Sequence, residues 1–186
     1  FGIAIPINLA TGPLFAPPCT IYPAPALMAL REQVAQNLIS FTTPEAKWLS
    51  QRSVYAELLN DSTLLSDPTL GHFKDSLDAS AMGKLATVNK ALTNGELAAT
   101  PGDLLSAVSN NNSVIVSIGM ENTSQTVNNM VLNNMQSGQT AFDASQLATL
   151  RSIANECPFT YGDAVYEARM LLQPYDSIGT VYLNPC

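Results

Sequence analysis

The arrangement of apolar residues changes near residue 25. From Phe1 to Pro25 the apolar residues are interrupted by six prolines, and proline cannot continue a helix because it lacks the amide proton and its ring blocks the preceding turn. After Pro25, apolar residues recur every three or four positions, which is the spacing of one helix face. The chain is therefore predicted to be mainly α. An extended apolar arm over residues 1–25 precedes a helical domain over residues 26–186, which ends in an extended tail.

Helix starts are marked by a capping residue followed by proline. Thr43 precedes Pro44, and Asp67 precedes Pro68. A side-chain oxygen at the cap accepts free backbone amides, and proline fits the first helical position. Three helices are predicted before residue 80. Their apolar stripes are Leu27, Leu30, Val34, Leu38 and Phe41, then Trp48, Val54, Tyr55, Leu58 and Leu59, then Leu70, Phe73 and Leu77.

The middle of the chain has a less regular pattern. Residues 81–112 are predicted to form a helical hairpin that turns at Asn94 and Gly95. The asparagine-rich stretch over residues 110–134 shows helical spacing only from Val127 onward. No period recurs three times, so a regular repeat array is not predicted. We expect the helices to pack as hairpins in an irregular bundle or a short solenoid-like array.

Cys157 falls at the end of a helix that Thr140 or Asp143 would cap. The apolar face of this helix is formed by Leu147, Leu150 and Ile153. Cys157 continues that spacing, so its thiol is predicted to point inward before Pro158 ends the helix. Asp163 would then cap a second helix. We interpret Cys157 as a structural residue at the corner of a helical hairpin, because a reactive cysteine needs an electropositive, partly exposed setting.

The three cysteines, Cys19, Cys157 and Cys186, allow three pairings and leave one unpaired in a monomer. We favour Cys157 with Cys186, because a bridge across that loop of about 30 residues would stabilise the fold by about 3 to 4 kcal/mol and fasten the tail. Cys19 would then be free or bridged elsewhere. The alternative is three reduced thiols in a cytosolic protein, which the low share of charged residues disfavours.

Composition narrows the class of protein. Charged residues make up 12% of the chain, about half of the usual share, and this balance favours a secreted or surface protein. The net charge of -7 and the eight basic residues argue against nucleic-acid binding, which needs a basic surface. No run of about 18 apolar residues is present, so no membrane-spanning helix is predicted.

The segment "LATLRSIANECPFTYGDAVYEARMLL", followed by "PYDS" and a terminal cysteine, resembles a known helical module. That module occurs near the C termini of large surface and secreted proteins of Bacteroidota, usually before a type IX secretion sorting domain. The shared pattern is approximately Ile-Ala-x-x-Cys-Pro, Gly-x-Ala-Val-Tyr-x-Ala-Arg, a Tyr-Asp pair and a later cysteine. The resemblance covers residues 48–186 and does not include the arm. It implies export and a structural role, and it carries no catalytic residue.

Three short motifs resemble the Asp-Ser/Thr-apolar acceptor for O-glycans in these bacteria. The acceptors would be Ser62, Ser76 and Ser177, each of which follows an aspartate. The resemblance therefore implies O-glycosylation at these serines.

No motif for nucleotide, metal or nucleophilic chemistry is present. The sequence lacks a glycine-rich phosphate loop, Gly-x-Ser-x-Gly, Cys-x-x-Cys and His-Glu-x-x-His, so no metal or cofactor is predicted. Asp75 and Asp78 offer two carboxylates for acid–base work, but on an exposed helix face we expect them to be solvated. His72 is interpreted as a capping or partly packed residue rather than a base. We predict that the protein is not an enzyme.

The arm provides the main functional hypothesis. Its apolar residues alternate with residues of the other face, so the arm could add a strand to a neighbouring sheet. We expect a non-catalytic structural and interaction module, extracellular or on the outer-membrane surface, that docks through this arm to a protein partner or to its parent chain. The docking residues would be Ile3, Ile5, Ile7 and Leu9.

The alternative is a helical domain that binds a surface glycan or another ligand. Aromatic rings near the C terminus could stack on a sugar, although packing of the corner and tail is the simpler interpretation. These residues are Tyr161, Tyr166, Tyr175 and Tyr182.

Overall fold

The fold is mainly helical, as predicted. The computed structural model describes residues 24–94, 101–177, 179–183 and 185–186, and within them it has nine α-helices, one short 3-10 helix and no strand. None of these described helices is both long and apolar enough to cross a bilayer. The α-helices are α1 (Ala24–Ala35), α2 (Pro44–Asn60), α3 (Pro68–Asp78), α4 (Ala81–Asn94), α5 (Pro101–Asn112), α6 (Gly119–Ser137), α7 (Ala144–Ala154), α8 (Pro158–Tyr161) and α9 (Ala164–Leu172), and the 3-10 helix is Ser62–Ser66.

The first helix ends earlier than its apolar spacing predicts. α1 ends at Ala35, and Asn37 adopts a left-handed conformation with φ 58°. The amide of Leu38 then donates to the carbonyl of Gln33 over 2.8 Å, the bond that closes a Schellman motif. Leu38 was predicted on the buried stripe, and this prediction is wrong: its side chain is 67% exposed.

The caps predicted for α2 and α3 are confirmed. The Thr43 hydroxyl accepts the amide of Ala46 over 3.2 Å. The Asp67 carboxylate accepts the amide of Thr69 over 2.7 Å. The predicted stripe residues that are buried on these two helices are Val54, Tyr55, Leu58, Leu70 and Phe73.

α6 is the central helix of the C-terminal part, and it contains most of the asparagine-rich stretch. It packs against α4, α5, α7, α8 and α9. In the described residues the apolar core forms three clusters, which lie between α1, α2 and α3, between α4, α5 and α6, and between α6, α7 and α9. Their large buried members include Leu58 and Leu70, then Val88 and Leu132, then Leu150 and Leu172.

α3 and α4 approach each other closely at Gly83. A Cβ atom at this position would lie 2.3 Å from the carbonyl oxygen of Leu77 and 2.6 Å from Cα of Asp78. Both neighbours are backbone atoms, so a side chain at position 83 would force the two helices apart.

The corner at Cys157 differs from the prediction. Asp143 caps α7 through a capping box with Gln146, but α7 ends at Ala154, so Cys157 does not lie on its apolar face. Cys157 instead has the extended conformation, with ψ 118°, immediately before α8. The reason is Pro158, because a residue that precedes proline is disfavoured from helical geometry.

Candidate functional site

A groove runs along one face of α6. α4 and α9 both pack on α6 and form its walls, and α2 adds a further wall to one half. The floor is a stripe of α6 residues at helical spacing. The residues of this stripe are Ser124, Val127, Asn128, Val131 and Met135.

The groove consists of two adjoining cavities of about 220 and 400 Å³, which together fall in the range of ligand sites, about 300–1,000 Å³. Asn89 and Glu167 line both cavities. The walls are otherwise mostly apolar, and some of their side chains stay open to solvent: Leu59 is 50% exposed and Met170 67%. The remaining large apolar wall residues include Met82, Leu85, Leu92 and Leu171.

An ion pair lies at the α2 side of the groove. The guanidinium of Arg52 lies 2.6 Å from the carboxylate of Asp163, and its Cζ lies 5.5 Å from the ring centre of Trp48, within the range of a cation–π contact. Asp163 occupies the N-cap position of α9, as predicted, but its side chain makes no capping hydrogen bond. The predicted capping role is therefore wrong, and Arg52 is the partner instead.

Glu167 lies between the two cavities on α9. Within the described part of the chain, its carboxylate has no hydrogen-bond partner. Burial raises the pKa of Glu167, the charge of Asp163 raises it further, and Arg52 acts in the opposite direction. Since two carboxylates face one guanidinium, the groove carries one negative charge in excess when Glu167 is ionised.

The polar groups behind the groove bond to one another. Asn128 is 2% exposed and donates to Oδ1 of Asn89 over 2.9 Å and to Oδ1 of Asn111 over 3.3 Å. Asn111 donates to the carbonyl of Gln125 over 3.0 Å and to Oδ1 of Asn129 over 2.7 Å. These bonds join α4, α5 and α6, and a satisfied buried network of this kind makes the floor rigid.

Trp48 is held at the end of the groove by a buried carboxylate. Its indole nitrogen donates to Oε1 of Glu121 over 3.2 Å. Glu121 is 5% exposed and also accepts the amide and hydroxyl of Ser117, each over 2.8 Å. Three donors therefore compensate for the burial of this side chain.

A second assembly of polar contacts lies at the corner between α7 and α9. A disulfide joins Cys157 to Cys186, with the two Cα atoms 5.1 Å apart, so the predicted pairing is confirmed. Cys19 lies outside the described residues.

Arg169 fastens the same corner. Its Nε donates to the carbonyl of Ala154 at the end of α7 over 2.8 Å, and its Nη2 donates to the carbonyl of Leu183 in the tail over 3.0 Å. The guanidinium also lies 5.4 Å from the ring centre of Tyr166 and 5.7 Å from that of Tyr182. One side chain on α9 thus connects α7 and the tail.

Asp176 adds a further connection. It accepts Nη2 of Arg151 over 2.7 Å and the hydroxyl of Tyr182 over 2.8 Å, and these bonds lower the pKa of the Asp176 carboxyl. Several residues of the motif that resembles the Bacteroidota module, including Arg169 and Asp176, therefore make structural contacts at this corner.

The predicted glycan acceptors lie on separate surfaces. Ser62 is exposed at the start of the 3-10 helix, and Ser177 is exposed beyond α9. Ser76 is exposed inside α3, where its hydroxyl donates to the carbonyl of Phe73 over 2.7 Å. Their glycosylation stays a prediction.

The candidate catalytic groups do not converge. His72 and Asp75 are exposed on α3, whereas Asp78 accepts the hydroxyl of Tyr55 over 2.7 Å and Nζ of Lys74 over 2.6 Å. Asp78 was expected to be solvated, but its carboxylate is paired with these two side chains. In the described residues, no cluster of three or more His, Cys, Asp or Glu side chains could hold a metal ion.

Two of the tyrosines that could have stacked on a sugar are bonded within the fold instead, in line with the simpler interpretation that they pack the corner and tail. The hydroxyl of Tyr175 accepts the amide of Phe142 over 2.9 Å, and the hydroxyl of Tyr182 is bonded to Asp176. The predicted docking residues of the arm, Ile3, Ile5, Ile7 and Leu9, lie outside the described residues.

No protein-family model, curated protein or solved structure matches the chain. The resemblance to the Bacteroidota module stays a prediction.

The groove is the feature that sequence reasoning missed. Glu167 offered one signal, because it lies three residues after Ala164 and four residues before Leu171 and therefore borders an apolar helix face. Arg52 and Trp48 offered none, since their position opposite α9 depends on how distant helices pack.

Proposed function

We propose that the chain is a non-catalytic structural and interaction module of an exported or cell-surface protein. The observation that carries the proposal is the groove along α6, which is preformed, mostly apolar and open to solvent. Apolar clefts with a few well-placed polar groups are the usual form of a binding site. The corner at Cys157 holds α9, and hence one wall of the groove, in position.

The disulfide supports export. Bridges between cysteines form and persist in oxidising compartments and are rare in the reducing cytosol. The bond between Cys157 and Cys186 fits the surface location that the composition and the resemblance both favour.

The lining of the groove favours a protein partner over a glycan. Sugars need many hydrogen-bond donors and acceptors, but the side-chain amide of Asn128 already donates to Asn89 and Asn111. Glu167 offers a sugar one carboxylate between the two cavities. The wall residues Met170, Leu171 and Leu92 instead suit apolar side chains. Glycan binding is therefore the weaker candidate.

A photo-cross-linking amino acid at position 170 tests the proposal. Met170 lines the groove and is 67% exposed, so illumination of producing cells should give a discrete cross-linked species in the surface or secreted fraction. Position 115 is the matched control, because Ile115 is 86% exposed and does not line the groove. Equal cross-linking at both positions, or none at position 170, would contradict a docking role for the groove.

The contribution of the arm needs a separate test. Replacement of the four docking residues by serine in the full chain should leave helicity, measured by circular dichroism, unchanged, but should abolish co-purification of the partner captured through position 170. A partner that still co-purifies would remove the arm from the proposal and leave the groove in it. The residues to replace are Ile3, Ile5, Ile7 and Leu9.

A further inference from the structure

The charge of the groove is not balanced by its own residues. The guanidinium of Arg52 pairs with Asp163 at 2.6 Å, and among the described residues no other basic side chain lines either cavity. Glu167 borders both cavities, with apolar residues on each side along the groove. A cation bound beside Glu167 could pair with its carboxylate, which has no hydrogen-bond partner in the described part of the chain.

The length of the groove indicates the length of the segment that could bind in it. The floor runs from Ser124 to Met135 on α6, and the eleven helical steps between these residues rise about 16 Å. An amphipathic helix of about three turns has the same length and can place apolar side chains at matching intervals.

The rim suits a macromolecular partner. Leu59, Met135 and Met170 are 50%, 37% and 67% exposed, and a small molecule in the cavities would leave much of this apolar surface in water. Methionine side chains are flexible and polarisable, so they adapt to differently shaped apolar partners.

We infer that the groove binds an amphipathic helical segment of a partner protein, in which a lysine or arginine within the apolar face pairs with Glu167. This inference rests on the proposed function and specifies the chemistry of its partner. The net charge of -7 for the whole chain favours approach of a basic segment, because electrostatic attraction raises the rate of encounter.

Intrinsic fluorescence provides the measurement. The chain contains one tryptophan, and Trp48 lines the groove. The probe is a synthetic 14-residue helical peptide, about 21 Å long, with leucine along one face, a single lysine at the centre of that face and no tryptophan. Its twin carries glutamate in place of the lysine. We expect the lysine peptide to change the Trp48 emission and to bind at least about tenfold more tightly than its twin.

Variants of the full chain identify the pairing residue. Glu167→Gln should weaken binding of the lysine peptide about tenfold, as expected for loss of a charged hydrogen bond. Glu156→Gln removes the same charge from the turn between α7 and α8, outside the groove, and should bind like the wild type. Glu167→Lys should reverse the preference toward the glutamate peptide.

Several results would overturn the inference. These are equal binding of the two peptides, no binding of either, or equal affinity of Glu167→Gln and the wild type for the lysine peptide. Dimerisation of the free chain that Met170→Glu abolishes, seen by analytical ultracentrifugation, would assign the groove to a second copy and would also overturn it. If the peptides fail but cross-linking at position 170 captures a neighbour, the proposed function stands and only the partner's chemistry is wrong.

Discussion

Two polar side chains of the groove have opposite energetic roles. Asn128 is buried and bonded to Asn89 and Asn111, so its burial is compensated and it stabilises the junction of three helices. Glu167 is half-buried without such bonds in the described residues, and its charged form is therefore destabilised. A charge kept at a cost in stability is typical of functional sites.

Replacement of Glu167 by Gln should increase stability at neutral pH. The folded state raises the pKa of Glu167 above the ordinary value of 4.5, so the folded state holds its proton at pH values where the unfolded chain has lost it. Stability from this group is present below pH 4.5 and is lost as pH rises through the raised pKa. Glu167→Gln has no ionisable group at this position, so its stability does not fall in this way as pH rises. Urea unfolding at pH 4 and pH 7 should therefore show a gain that grows with pH, and a variant less stable than the wild type at pH 7 would contradict this account.

Gly83→Ala should destabilise the fold. The added Cβ would meet backbone atoms at 2.3 and 2.6 Å, and overpacking of this kind costs about 3 kcal/mol at the upper end of its range. Gly102→Ala is the matched control, because a Cβ there meets no atom within 4 Å. It should be neutral or stabilise by about 0.5 kcal/mol. Equal free energies of unfolding for the two variants would show that α3 and α4 can separate without cost.

At the scale of elements, the corner between α7 and α9 is fastened by contacts of different kinds. The disulfide ties the start of α8 to the end of the chain, and Arg169 ties the end of α7 to the tail. α9 also carries Glu167, so this corner sets where the carboxylate stands in the groove.

Loss of the disulfide should lower the free energy of unfolding by about 3 to 4 kcal/mol, because it releases a loop of 29 residues in the unfolded chain. The double variant Cys157→Ser/Cys186→Ser is compared with the wild type by urea denaturation without reductant. Under reducing conditions the two proteins should have the same stability. A difference that persists in reductant would mean that the serines, rather than the missing bond, cause the effect.

Local signals predicted where helices begin better than where they end. The caps at Thr43 and Asp67 were predictable, and Asp143 was one of two candidates for α7, because capping involves residues within one turn. The ends of α1 and α7 were not, because apolar residues continue at helical spacing past Asn37 and up to Cys157. There, local backbone preferences end the helix before the apolar pattern does.

At the scale of the whole molecule, the groove depends on packing between distant parts of the chain. Arg52 and Asp163 are 111 positions apart, yet they form one ion pair. The asparagine-rich stretch also lacked a clear pattern for this reason: Asn111 and Asn128 occupy core positions, which a search for apolar spacing does not recognise. The helical class was predictable from the sequence, whereas the site was not.

The secondary structure around the three candidate serines indicates which of them could carry O-glycans. Ser62 and Ser177 lie outside α-helices, whereas the hydroxyl of Ser76 is bonded to Phe73 within α3. If the chain is exported through a glycosylating pathway, we expect glycan on Ser62 and Ser177 and none on Ser76. Mass spectrometry of the protein from its own cells checks this. Ser62→Ala and Ser177→Ala should each remove one glycan mass, and Ser76→Ala should leave the mass pattern unchanged. A glycan found only on Ser76 would contradict the expectation.

The bond between Cys157 and Cys186 also makes the last part of the chain a covalent ring. A protease that cuts once between these two cysteines would open the ring without releasing a fragment. Such a nicked chain would gain only the mass of one water and would stay in one piece until a reductant separated the two parts, and α9, with Glu167, would stay tethered to α7. If the chain is exported as proposed, the groove would thus survive a proteolytic cut that would otherwise detach the tail from it.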